Sequence, residues 1–155
     1  MNRKKVFLLR HSDAEYSSSI GSDFDRKLTI FGIEKVLQYR TDYLKIIAVD
    51  AVFCSTATRA METVEVLKMS IEKRSFHKNL YEASAEDLVD FIQSISNQYN
   101  SILIVGHNPG LSGLASYLCG DLFLLNTCQL IEIDLEIVDW KLLTRGIGIE
   151  KRNIF

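Results

Sequence analysis

Three short apolar runs set the terms for what this chain can become: Val6-Phe7-Leu8-Leu9, Ala51-Val52-Phe53-Cys54 and the stretch 101–105. None shows the polar alternation of a half-exposed strand, so each reads as a strand covered on both faces. Between the first two, Ile33, Val36, Leu37, Leu44 and Ile47 recur at helical spacing and predict a helix over about 30–47. Ala57, Ala60, Met61, Val64 and Leu67 predict a second helix. Ser84-Ala85-Glu86-Asp87 has the form of a capping box, opening a third helix that carries Leu88, Ile92 and Ile95. Asn108-Pro109 starts a fourth, with Asn108 as N-cap and Pro109 at the first helical position. A weak strand is expected over 75–78, and 128–135 with 140–144 read as a closing strand pair. Strands that alternate with helices imply an α/β sandwich with a mainly parallel sheet. No repeat, low-complexity tract or linker interrupts the pattern, so residues 1–155 are expected to form one domain.

Composition narrows the function classes. The formal net charge is −2, which gives no reason to expect nucleic acid or an anionic membrane as partner. Any anion site has to be local, built from a few cations placed together. No run of eighteen apolar residues exists to span a membrane. The basic Met1-Asn2-Arg3-Lys4-Lys5 is followed by an apolar run too short for a signal peptide. Cys54, Cys119 and Cys128 form neither a disulfide framework nor a zinc spacing, and read as reduced thiols of a cytoplasmic protein.

Ligands of such sheets bind beyond the carboxyl ends of the strands. The first strand runs into Arg10-His11, the second into Ser55-Thr56 with Arg59 in the next helical turn, and the third buried run into Gly106-His107-Asn108. Taken singly, each has a plain explanation: a lone histidine is usually a surface or satisfied core residue, as His77 is expected to be, and Arg10 could be a solvated strand end. Arg59 resists it, because a cation in a helix's first turn opposes the dipole unless an anion compensates. Ser55 or Thr56 is the expected N-cap there, and free N–H groups at that end also favour anions. Two histidines and two arginines converging on one sheet edge have a specific use. Guanidinium groups hold phosphate oxygens bidentately and stabilise a transferring phosphoryl group. A neutral imidazole attacks phosphorus, and neighbouring arginines keep it neutral. No residues suggest a metal cage and the chemistry needs none, so neither metal nor cofactor is expected. The polar stretch 12–27, with Ser17-Ser18-Ser19 and Gly21, is long for a loop and is the one segment available as a lid.

These residues resemble the histidine phosphatase superfamily. Leu8-Leu9-Arg10-His11-Ser12-Asp13-Ala14 is similar to its Arg-His-Gly signature. Leu28-Thr29 with Gly32 matches a Leu-Thr-x-x-Gly element. Ser55-Thr56-Ala57-Thr58-Arg59-Ala60-Met61-Glu62-Thr63 is similar to the second motif, and Val105-Gly106-His107-Asn108-Pro109-Gly110 to the second-histidine motif. The short length, Arg-His-x-Asp-Ala and Gly-His-Asn-Pro-Gly most resemble the SixA-type phosphohistidine phosphatases. The resemblance implies a three-layer α/β/α sandwich of phosphoglycerate mutase-like fold without a cap domain. It implies His11 as the phosphorylated nucleophile, with Arg10, Arg59 and His107 completing a phosphate pocket. Glu82 matches the place where larger relatives hold a general acid; the plainer alternative is a first-turn helix carboxylate. Ser12 stands where the family carries glycine, so a positive φ there would be strained. Thr56 replaces a common proline.

The expected function is a metal-independent phosphatase acting through phosphohistidine on His11, toward protein phosphohistidine or small phosphomonoesters. Two alternatives stand beside it: a catalytically silent phosphate- or phosphoprotein-binding module, and a mutase-like phosphotransferase. The chain is expected to be a monomer or homodimer. Its apolar C-terminal residues Ile147, Ile149, Ile154 and Phe155 could pack on their own domain, the commoner case, or on a second subunit.

Overall fold

The computed structural model describes residues 3–17 and 21–154. Met1, Asn2, Ser18, Ser19 and Phe155, all part of the sequence reading, lie outside the described residues. The order of elements is β1 (Lys4–Arg10), α1 (Ile30–Ile46), β2 (Ala51–Ser55), α2 (Thr58–Leu67), β3 (Arg74–His77), α3 (Ala85–Gln93), β4 (Ser101–Gly106), α4 (Gly110–Cys119), β5 (Leu130–Leu135) and β6 (Gly148–Ile154). One six-stranded sheet has the order β3-β2-β4-β1-β5-β6. The pairs β1/β4, β2/β4 and β2/β3 are parallel, while β5 runs antiparallel to both β1 and β6. The expected mainly parallel α/β/α sandwich is the observed fold.

Both faces of the sheet are covered, which is why its central strands are apolar runs. On one face Val6, Leu8, Ile102 and Ile104 pack against Leu88, Ile92, Leu111 and Leu114 of α3 and α4. On the other, Phe7, Leu9, Leu103 and Val105 pack against Val36, Tyr43, Ala60 and Val64 of α1 and α2. Helix α1 starts where the Thr29 hydroxyl accepts from Gly32 N–H at 2.9 Å. Helix α3 starts on the expected Ser84–Asp87 capping box. It ends at Gln93, so Ile95 lies past its end.

Several expectations need correction. Helix α1 buries Gly32, Val36 and Tyr43, while Ile33, Leu37 and Leu44 of the expected stripe are exposed. Met61 of α2 is exposed too. Helix α2 begins at Thr58 after Ala57, and neither Ser55 nor Thr56 is its N-cap; the Ser55 hydroxyl accepts from Ala57 N–H at 3.1 Å. Helix α4 begins at Gly110, so Pro109 precedes its first residue; Asn108 Oδ1 still accepts from the Ser112 hydroxyl at 2.7 Å. The stretch 140–144 is no strand. Trp140 is buried, its indole N–H donates to the Tyr99 carbonyl at 2.9 Å, and Trp140–Leu142 forms a 3₁₀ turn capped by Asp139. The strand that pairs with β5 is β6. Ile147 and Ile154 pack on the domain's two clusters as expected, whereas Ile149 is exposed. Cys54, Cys119 and Cys128 are unbridged. Among the described residues no helix is long and apolar enough to cross a membrane.

Candidate active site

Strand register assembles the site. Because β4 lies between β1 and β2, Arg10 pairs with Gly106 and Cys54 with Val105. Arg10-His11, Ser55 and Gly106-His107 therefore finish side by side at the carboxyl edge of the sheet. His11 N–H donates to the Gly106 carbonyl at 3.1 Å, fixing the two histidine-bearing segments together. Arg59 enters from the first turn of α2. The resulting cleft of about 310 Å³ is lined by Arg10, His11, Arg59 and His107, joined by Tyr16 and Arg26 from the loop.

The hydrogen bonds fix the state of His11. Its Nδ1 lies 2.7 Å from the Ser12 carbonyl oxygen, which can only accept, so Nδ1 carries the ring proton. Nε2 is left with its lone pair, which accepts from Arg59 Nε–H at 3.3 Å. Burial first, and then the Arg59 and Arg10 charges, push the His11 pKa down to about 4; the Ser12 carbonyl opposes this. The ring is thus neutral at pH 7. His107 lies with its ring centroid 5.1 Å from that of His11. Its pKa is pushed down to about 3, by burial first and then by His11 and Arg59. His107 Nε2 meets the Ser55 hydroxyl at 2.8 Å, while Nδ1 is buried without a partner.

The cations are held with donors to spare. Arg10 Nη1 donates to the Leu125 carbonyl at 3.0 Å, and its Nε has no partner. Arg59, 5% exposed, donates from Nη1 to the Asp23 carbonyl at 2.7 Å and from Nη2 to Asp23 Oδ2 at 3.2 Å. Asp23 also accepts from the Tyr81 hydroxyl at 2.6 Å and from Arg26 Nε at 2.8 Å. The Tyr81 bond, aided by Arg59 and Arg26, holds the Asp23 pKa down to about 2. The Tyr81 ring packs edge-on against His107 and beneath the Arg59 guanidinium.

The structure thus brings Arg10, His11, Arg59 and His107 together, but not Glu82. Glu82 is exposed, sits in a turn at φ 57°, and lies outside the lining of the cleft. Nor is it in the first turn of α3, which starts at Ala85. Ser12 does not adopt the feared positive φ. It is buried, its N–H donates to Thr63 Oγ1 at 3.1 Å and its hydroxyl to the Gly32 carbonyl at 2.8 Å. The sequence reading missed Asp23, Arg26 and Tyr81. An Asp-x-x-Arg pair inside an otherwise featureless loop was the one signal available for the first two. His77 is the satisfied residue expected, bonded to Ser75 at 2.8 Å and packed on Phe53 and Phe91. Among the described residues, no three His, Cys, Asp or Glu side chains are placed to hold a metal.

Comparison with known proteins bears on the family and the fold. Residues 6–87 match the histidine phosphatase superfamily (branch 1). An uncharacterized protein of Mycobacterium tuberculosis is 34% identical over 108 residues, covering 69% of this chain and 67% of that protein. One from Mycobacterium leprae is 30% identical over 117 residues, covering 72% and 71%. Among solved structures, a protein assigned as the phosphohistidine phosphatase SixA of Nakamurella multipartitia superposes with a TM-score of 0.86 at 20% identity, covering 100% of this chain and 97% of its own. The protein histidine phosphatase SixA complexed with tungstate superposes with a TM-score of 0.78 at 21% identity, covering 97% and 96%. Those two likenesses carry the fold, and the matched sequence carries the lineage: this chain belongs to the histidine phosphatase superfamily.

Proposed function

We propose that the protein is a phosphatase in which His11 takes the phosphoryl group from the substrate and passes it to water. The observation that carries this reading is the state of His11: a buried, neutral imidazole with its proton on Nδ1 and its Nε2 lone pair in a cleft walled by arginines. In the first step Nε2 forms a bond to phosphorus as the bond to the leaving group breaks. In the second, water replaces Nε2 and inorganic phosphate departs. Arg10 and Arg59 bind the phosphoryl oxygens, and His107 donates to one of them. The donor set supports metal independence, because a cleft rich in guanidinium groups repels a metal cation and already supplies the positive charge. A cytoplasmic location fits the unbridged cysteines.

The leaving-group side favours phosphohistidine over alkyl phosphates. Asp23 is held ionised by Tyr81, Arg59 and Arg26, Asp13 in the lining is engaged by the Thr127 hydroxyl and Lys35, and Glu82 stands outside the cleft, so none of the three is placed to give a proton to a departing alkoxide. A labile P–N bond asks less of a general acid. The substrate proposed is accordingly a phosphohistidine side chain on a protein, with activated phosphomonoesters turned over as well.

The test is turnover of para-nitrophenyl phosphate and of a phosphohistidine peptide, in chelator, by the wild type, His11→Ala and Glu82→Gln. Chelator-resistant turnover that disappears in His11→Ala and persists in Glu82→Gln is the expected result. A wild type that binds vanadate or tungstate without turnover would mean a phosphate-binding module instead. Activity surviving in His11→Ala would mean another nucleophile.

A further inference from the structure

Ser55 is fully buried at the end of β2, and its hydroxyl has two neighbours among the described residues. One is the Ala57 backbone N–H at 3.1 Å, which can only donate, so Ser55 Oγ accepts there. The other is His107 Nε2 at 2.8 Å. Were Nε2 protonated, Ser55 would accept from both neighbours. Its own proton would then have no acceptor, in a site where an unmade hydrogen bond is expensive. With the Ser55 hydroxyl donating to Nε2, the fully buried serine is satisfied and the one proton without a protein acceptor moves to the cleft-lining histidine, where solvent or an anion in the cleft can accept it. His107 then carries its proton on Nδ1, the buried ring atom without a partner in a residue that lines the cleft.

We infer that Ser55 is a positioning residue: by donating to His107 Nε2 it sets the tautomer that presents an Nδ1–H donor to the phosphoryl group. The role rests on the phosphatase reading for its catalytic consequence, but the tautomer itself does not. The logic is a relay of fixed polarity. The Ala57 N–H at the start of α2 orients the Ser55 hydroxyl, the hydroxyl orients the imidazole, and the imidazole meets the substrate with a donor. The wrong tautomer would point a lone pair at phosphate oxygens, repelling the charge it should stabilise. The ring stays neutral throughout, so its usefulness as a donor depends on which nitrogen bears the single proton.

Nitrogen-15 NMR of histidine-labelled wild-type protein reads the His107 tautomer directly, without substrate. The expected signature is a protonated Nδ1 and an unprotonated Nε2; the reverse pattern overturns the proposal. In Ser55→Ala the signals are expected to shift toward the Nε2–H tautomer. Turnover should fall on the order of a hundredfold, mostly in kcat. Ser55→Thr, which keeps the hydroxyl, should restore both. An unchanged tautomer in Ser55→Ala, with turnover lost only through instability, makes Ser55 a structural residue and also overturns the idea. If the wild type proves inactive yet shows the Nδ1–H signature, the phosphatase reading fails and the tautomer assignment stands.

Discussion

Asp23 shows what a loop residue does to an anion site. Its carboxylate lies on the Arg59 guanidinium, which the proposed function assigns to phosphate, and it is ionised because Tyr81 and two arginines hold it so. On the proposed function it competes with an incoming dianion for Arg59. Asp23→Asn keeps the shape and removes the charge, so inorganic phosphate should inhibit more tightly, by roughly threefold for a partly exposed charge. An inhibition constant unchanged by the substitution would mean that Asp23 only anchors the loop. None of this was legible in the sequence, because the partners lie 36 and 58 residues away and a loop has no periodicity to betray its geometry. Arg10, His11, Arg59 and His107 were legible for the opposite reason. They directly follow strands, or open a helix, whose pattern is plain. Glu82 was placed by resemblance alone, and the turn that carries it points the backbone elsewhere.

Helix α1 explains why an apolar stripe can be read correctly as a helix and wrongly as a face. Its apolar residues fall on two sides, and the side rich in aliphatic residues is the exposed one. The sheet instead receives Val36 and Tyr43, while Gly32 meets the loop after β1. A β-carbon on Gly32 would lie 2.1 Å from the Asp13 carbonyl oxygen, so only glycine lets the helix start against the site loop. The buried side also carries the Tyr43 hydroxyl, which donates to the Cys128 carbonyl at 2.6 Å. Thermal unfolding separates the two sides. Val36→Ala should cost about 2 kcal/mol, whereas Leu37→Ala should stay within about 0.5 kcal/mol. Comparable losses would mean that the outer side is covered in solution. The last strand was missed through its composition: Glu150, Lys151, Arg152 and Asn153 are exposed on a sheet edge, where charge discourages edge-to-edge pairing.

Burying two neutral histidines links the protein's stability to pH. Unfolded, each takes a proton near pH 6.5; folded, they do so near 4 and 3. Between those limits the unfolded chain binds more protons, so stability is full above pH 6.5 and is lost as pH falls through the window. His11 alone accounts for roughly 3 kcal/mol of that loss. Urea titrations at pH 7 and pH 4.5 should show the drop, and His107→Gln should flatten it. Activity, corrected for the substrate's own ionisation, should hold well below pH 6.5; an acid limb at 6.5 would mean that His11 is not buried as described. The same central strand that carries His11 also has a history during synthesis. Among the described residues β1 pairs with β4 and β5, and Lys5 meets Ser101 in that register. At ribosomal speeds the first strand waits on the order of ten seconds for its nearest neighbour to be made. Through that interval Val6-Phe7-Leu8-Leu9 is an unpaired apolar segment, the kind that chaperones bind. The feature that puts His11 at the heart of the sheet therefore keeps the site from existing until about two thirds of the nascent chain has been made.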